Sequence, residues 1–299
     1  MKRIGILGLI ALLSVAIWYV FIKEYDYQIT FKVKGSPASV YHQILNWESW
    51  GNTKTKNINT IDTILYKEIR QHITLQDTTL TLNWTLESHN DSITNIKAGI
   101  TSEKHAIVNR LAILTGETPF TKSLKKELKN FGEGANSFTN NFKIKIEGES
   151  EIPALEYLYI SSESRRMAKA GMMLRSNADL YPQLKANKVE EDGFPFVKLT
   201  AWDMSSDVIK FDFGFPIKYK DSLPINSKIK YGKTPSQKAL KATFYGNYRY
   251  SDQAWFALLE YANRRNISIV GNPLEIFYNN PMQDGNASQW KAEIYLPIK

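Results

Sequence analysis

Two carboxylates occupy matching places in a pattern that the chain writes twice. Val208-Ile-Lys-Phe-Asp212-Phe-Gly-Phe-Pro216-Ile217 recurs near the carboxy terminus as Gln289-Trp-Lys-Ala-Glu293-Ile-Tyr-Leu-Pro297-Ile298, each acid standing four residues before a Pro-Ile pair. Strand alternation puts Trp290, Ala292, Ile294 and Leu296 on one face of the second copy and Lys291, Glu293 and Tyr295 on the other. In the first copy Ile209, Phe211, Phe213 and Phe215 form the apolar side and leave Lys210, Asp212 and Gly214 opposite. The apolar sides should pack on helices, so both acids point away from them. A carboxylate in a partly desolvated place holds a cation or a hydrogen-bonding ligand more strongly than it would in water. The plain alternative is that Glu293 is a surface strand residue paired with Lys291 or another lysine.

Other chemistry finds little support. The chain has no cysteine, which removes disulfides, thiolate metal sites and cysteine nucleophiles together. His42, His72, His89 and His105 are scattered without ligand spacing, so no metal site is expected. Ser161-Ser162 and Ser205-Ser206 lack a G-x-S-x-G context, and Phe131-Gly-Glu-Gly lacks the lysine of a phosphate loop. No catalytic residue and no cofactor is therefore assigned. The net charge of +8 comes from lysines concentrated at Lys122–Lys129 and around 218–241. Neither stretch carries a helix-turn-helix or RNA-binding signature, so a solvated face is expected and no nucleic-acid partner.

The elements that must position the acids come in two similar units. Each reads as strand, helix, strand, strand: Ile144–Ile160 with Pro153 at an edge or bulge, a helix from Ser162 to Tyr181 stopped by Pro182, and the first motif copy; then a loop over 221–236, strand Ala239–Tyr245, a helix from Asp252 to Arg265, and the second copy. An internal repeat of this length predicts a cleft at the junction of its halves. Ahead of it, Tyr27–Lys34 alternates as a strand and Ser36-Pro37 opens a short helix. Runs rich in Thr, Ile, Leu and Val fill 61–101 as strands, and Phe120, Leu124, Leu128, Phe131, Ala135, Phe138 and Phe142 make one stripe of a long helix in which Gly132 and Gly134 predict a bend or break. At the amino terminus Ile4–Ile22 is free of charge and, at about 28 Å as a helix, reads as a single-pass anchor. Lys2 and Arg3 before it put the soluble part on the outer, periplasmic side.

The opening Phe31-Lys-Val-Lys-Gly-Ser-Pro37-Ala-Ser-Val40-Tyr41, followed by Trp47 and Trp50, resembles the START-like helix-grip fold of the polyketide-cyclase type, in which a curved sheet wraps a carboxy-terminal helix around an apolar cavity. The closing Trp290-Lys-Ala-Glu293-Ile-Tyr-Leu-Pro297-Ile298 resembles the gyrase-inhibitor-like domain, also found as the effector-binding module of multidrug-responsive regulators. Bacterial members of that family occur joined to START-like domains. The resemblance implies that Glu293 is the acid such domains place in a ligand pocket, with Asp212 its counterpart and Tyr159, Trp202, Tyr245, Tyr248 and Tyr295 as candidate walls. The expected fold class is α+β: a transmembrane helix over 1–25, a START-like domain over 26–142, and a duplicated effector-binding domain with an antiparallel sheet over 143–299. The expected function is membrane-anchored binding of a small apolar or cationic molecule in the second domain's cleft. Two alternatives stay open. Some members of the latter family are hydrolases that use a pocket acid with a tyrosine, and a START-like cavity can carry a hydrophobic ligand.

Overall fold

The structure, a computed structural model, describes residues 2–19, 23–48, 57–74, 79–102, 110–112, 116, 118–218, 228–283 and 285–299. Trp50 and His105 lie outside these residues, as does part of the 221–236 connector. The chain divides into two compact units, Met1–Phe138 and Thr139–Lys299.

In the first unit helix α1 (Lys2–Ile17) is 16 residues long, about 24 Å against a hydrocarbon layer of about 30 Å. Among the described residues no helix is long and apolar enough to cross a membrane. This corrects the expectation of a transmembrane helix over residues 4–22, and with it the membrane partner and the single-pass, periplasmic-side localisation. The regular α-helix stops at Ile17 instead of running through the uncharged stretch, and Trp18 and Tyr19 continue as a wider turn. The Tyr19 hydroxyl donates to the Arg110 carbonyl at 3.2 Å.

Five antiparallel strands follow: β1 (Tyr27–Lys34), β2 (Ile58–Ile64), β3 (Glu68–Thr74), β4 (Thr79–Asn90) and β5 (Ile93–Ser102), in the order β1-β5-β4-β3-β2. Helix α2 (Pro37–Leu45) starts where Ser36 caps the Ser39 amide and Pro37 sets the first turn. Helix α3 (Pro119–Phe138) runs unbroken through both glycines. The expected break is absent because Gly132 is a contact point: a Cβ there would stand 3.4 Å from the Phe31 ring, so glycine lets α3 lie close on β1. The stripe Leu124, Leu128 and Ala135 packs with Val33, Leu82 and Ile96, while Lys122, Lys125, Lys126 and Lys129 face solvent. The Trp47, Trp84 and Phe131 rings meet at 5.2 to 5.8 Å in the same core.

The second unit holds β6 (Phe142–Ile152), β7 (Leu155–Arg165), α4 (Lys169–Ala186), β8 (Phe196–Asp203), β9 (Val208–Pro216), β10 (Lys230–Thr234), β11 (Gln237–Gly246), α5 (Gln253–Arg265), β12 (Leu274–Phe277) and β13 (Lys291–Pro297). Its eight-stranded sheet has the order β10-β7-β9-β8-β12-β13-β11-β6, which is the same pattern read from either end. Each half is thus strand, helix, strand, strand, plus an edge strand that pairs with the first strand of the other half. Three boundaries differ from the sequence reading. The 144–160 stretch is two strands split at Pro153-Ala154, where Ser236 donates to the Ile152 carbonyl at 2.9 Å. The polar Ser161–Arg165 run extends β7 by pairing with β9, so α4 begins only at Lys169 and carries Pro182 inside its last turns. The lysine-rich connector contributes β10, whose charged residues suit an exposed edge. The apolar sides of β9, β11 and β13 pack under α4 and α5 around Met173, Leu180, Trp255 and Leu258.

Candidate functional site

Strand β13 lies inside the sheet between β11 and β12, so both of its edges are paired, and its residues from Ala292 to Pro297 are buried on both faces. Ala292, Ile294 and Leu296 join the helix-side core, and Tyr295 joins a smaller cluster on the other face with Tyr157, Phe196 and Ile276. Glu293 opens on that second face and is only 8% exposed. Four donors converge on it: Tyr278 and Tyr295 hydroxyls at 2.8 Å, Lys291 Nζ at 2.8 Å and Lys241 Nζ at 3.0 Å. Burial by itself would raise the Glu293 carboxyl, but the hydrogen bonds from Lys291, Lys241, Tyr278 and Tyr295 outweigh it and hold the group at about 2. The same contacts act in reverse on the phenols: burial and the carboxylate push Tyr278 up to about 12 and raise Tyr295 as well. Glu293 is therefore both buried and paired, with two lysines already occupying the place a cationic ligand would take.

A pH dependence follows. Glu293 is held below its ordinary value of 4.5, so the stability it supplies is fully present above about pH 4.5 and is lost as pH falls toward about 2. The urea midpoint of the wild-type chain should drop across that window. Glu293→Gln, which has no proton to gain, should flatten this part of the profile; an unchanged acid limb in the variant would contradict the pairing.

Asp212 sits on the same face in the first half, 7% exposed, and accepts from Ser161 Oγ at 2.8 Å. Here burial dominates and the carboxyl is raised, against the opposing pull of Ser161, Lys198 and Lys230. Tyr159 is beside it, its ring 5.4 Å from Tyr157. Gly214 makes this crowding possible, because a Cβ there would come within 2.5 Å of the Leu158 carbonyl oxygen. The remaining expected wall residues go elsewhere. Trp202 packs on α5 with its ring 5.3 Å from Trp255, and Tyr245 is an exposed residue near the end of β11. Tyr248 is buried on the helix side, its ring 4.7 Å from Phe277, donating to the Lys291 carbonyl at 2.7 Å.

Tyr248 belongs to a cleft of about 530 Å³ on that helix side, between α4 and the turn at 281–283. Met173, Phe215, Phe277 and Trp290 form its apolar floor and walls. Leu174, Tyr181, Phe194 and Met282 stand at it and stay exposed, Met282 to 77%. Tyr278 joins the two regions: its ring lies 4.5 Å from Phe194 in the cleft while its hydroxyl is held by Glu293. Sequence reasoning missed Phe194, Phe277 and Tyr278. The signal was present in the Gly-x-Pro segments of the two repeats: Phe194 is the middle residue of Gly193-Phe194-Pro195, and Phe277 ends the strand that follows Gly271-Asn272-Pro273, with Tyr278 next to it.

The wall helix α4 is fixed from below by buried charges. Lys169, its first residue, donates to both Glu275 carboxylate oxygens at 2.6 and 2.7 Å and to Ser251 Oγ at 2.7 Å. Next to it Arg166 binds Asp207 through two nitrogens at 2.8 and 3.0 Å and also bonds Asp252. Among the described residues no group of three or more His, Cys, Asp or Glu side chains could hold a metal.

Residues 177–299, within the second unit, match the family model described as GyrI-like small molecule binding domain. A search of curated proteins found no match. Among solved structures the chain is similar to the EcmrR C-terminal domain, at 13% identity and a TM-score of 0.41 over 53% of this chain and 98% of that one. It is also similar to SAV2435 bound to tetraphenylphosphonium, at 14% identity and 0.38 over 52% and 94%. A hydrolase from Listeria innocua is similar at 12% identity and 0.34 over 51% and 92%.

Proposed function

We propose that the second domain binds a small, largely apolar, ring-bearing molecule in the cleft between α4 and the 281–283 turn. The observation that carries this reading is the cleft itself. Its volume of about 530 Å³ is in the range that encloses a drug-sized ligand, and its floor is aromatic. Apolar side chains kept at its solvent edge, among them Leu174 and Phe194, cost exposed hydrophobic area that a ligand would cover. The domain family that residues 177–299 match, described as small-molecule binding, supports the same reading. Glu293 enters through Tyr278, whose ring it holds at the end of the cleft.

Binding is favoured over hydrolysis by the tuning of the acid and its tyrosine. A general acid or base works best with a pKa near the operating pH. Glu293 at about 2 and Tyr278 at about 12 stand far on either side of neutrality. The test is a fluorescence titration of the full chain with N-phenyl-1-naphthylamine, an uncharged aromatic probe. Leu174→Trp puts a large ring at the edge of the cleft from an exposed position, and should weaken the probe at least about tenfold, or about 1.4 kcal/mol, with the melting temperature kept. Equal affinity in the two proteins would overturn the cleft as the site.

The first domain is proposed as a START-like helix-grip unit. Its sheet order, with the first strand beside the last, and the long helix α3 packed on β1 support this. The ring cluster of Trp47, Trp84 and Phe131 occupies the core between sheet and helix, where a carried ligand would have to lie.

A further inference from the structure

We infer that the molecule taken by the cleft is an aromatic anion, a carboxylate or sulfonate on a ring system, held by Arg249. The inference rests on the cleft being the binding site and names its ligand class. Of the residues lining the cleft, Glu191 and Arg249 carry formal charge at neutral pH. Glu191 is already neutralised by Lys185, with Nζ to Oε1 at 3.0 Å. Glu293, which accepts from the hydroxyl of the lining residue Tyr278, is paired with both Lys291 and Lys241. Arg249 is exposed at the cleft, and its guanidinium makes no hydrogen bond or ion pair among the described residues; the backbone N–H of the same residue is the group that Asn247 Oδ1 caps, at 3.0 Å.

Among the described residues the uncompensated charge at this apolar cleft is thus positive. A planar guanidinium presents a fork of donors that matches a carboxylate or sulfonate, and a charge-assisted bond at the edge of an apolar cavity is screened less than one in bulk water. Asn177, on the α4 wall, offers a second set of donors, since its amide makes no hydrogen bond among the described residues. A lipophilic cation would meet Arg249 with no free acid among the described lining residues to offset it. This reverses the expectation drawn from Glu293 alone.

The test compares two probes built on one anilinonaphthalene frame, the anionic 8-anilinonaphthalene-1-sulfonate and the uncharged N-phenyl-1-naphthylamine, on the full chain. The anion should bind about tenfold more tightly, at the lower end of what a hydrogen bond to a charged group contributes. Arg249→Ala should abolish that advantage, weakening the anion about tenfold more than it weakens the uncharged probe. Arg249→Lys should restore part of it, keeping the charge without the fork. If the uncharged probe binds and Leu174→Trp removes it, yet the anion has no advantage or keeps it in Arg249→Ala, the anion inference is overturned and the cleft reading survives. If neither probe responds to Leu174→Trp, the cleft reading itself falls, and this inference with it.

Discussion

Lys169→Ala is expected to destabilise the second domain by about 3–5 kcal/mol, the range for removing one partner of a buried ion pair. Lys169 and Glu275 are 1% and 0% exposed, and the ammonium lies over the Trp255 ring at 4.6 Å, so no water takes the place of the lost donor. Glu275 would keep Ser251 as a donor, at 3.0 Å, and be left as a carboxylate in an apolar layer. The double change Lys169→Met with Glu275→Leu should recover much of the loss, since it removes both desolvated charges and leaves apolar volume in their place. Urea unfolding of the three variants decides this. A double variant as unstable as Lys169→Ala would mean that Lys169 acts by packing alone. Because Lys169 begins α4, and Ala170 and Met173 of that helix line the cleft, the single variant should also weaken an uncharged aromatic probe.

Trp84→Ala is expected to cost the first domain about 3–5 kcal/mol, as for other large-to-small changes in closed cores. Trp84 is 1% exposed, with rings of Trp47 and Phe131 against it. Its indole N–H donates to Gln71 Oε1 at 2.9 Å, while the Gln71 amide holds the Ile44 carbonyl at 3.3 Å. Truncation leaves a buried amide oxygen without that donor, which adds about 1–3 kcal/mol unless water enters. The space opened is apolar on most sides, and such cavities take up small hydrophobic molecules. Trp84→Ala should therefore gain affinity for an apolar probe in the first domain. Apolar binding there of equal strength in wild type and variant would show that Trp84 does not fill the cavity and would favour the carrier reading.

Much of the second domain was legible because its hydrophobic period is strict. Alternation in β9 and β13 placed Asp212 and Glu293 on one face and the phenylalanines of β9 on the other, and the faces lie as read. Strand boundaries were misread where polarity hid them. Ser161–Arg165 looks like a helix start but belongs to β7, because pairing with β9 satisfies its backbone whatever the side chains are. Pairing of Glu293 with Lys291 or another lysine was legible as the plain alternative, but its burial and its two tyrosine donors were not. Lys241 comes from another strand and Tyr278 from a loop, and their meeting on one carboxylate is set by the pairing of β13 with β11 and β12. The same holds for Arg249, which has no signature in the chain and gains meaning only through the cleft that α4 and the 281–283 turn make around it. At the amino terminus, among the described residues, the uncharged run forms an α-helix only as far as Ile17, shorter than a membrane span, since composition alone does not set where a helix stops.

The most direct measurement is to locate a bound aromatic molecule on the full chain. An uncharged naphthyl diazirine, photoactivated at a concentration near its dissociation constant, should attach to peptides from α4 (Lys169–Ala186) and from 277–283, and the yield should fall in Leu174→Trp. Attachment confined to the first domain, or to the Glu293 face around 143–147 and Lys241, with no change in Leu174→Trp, would contradict binding in the cleft.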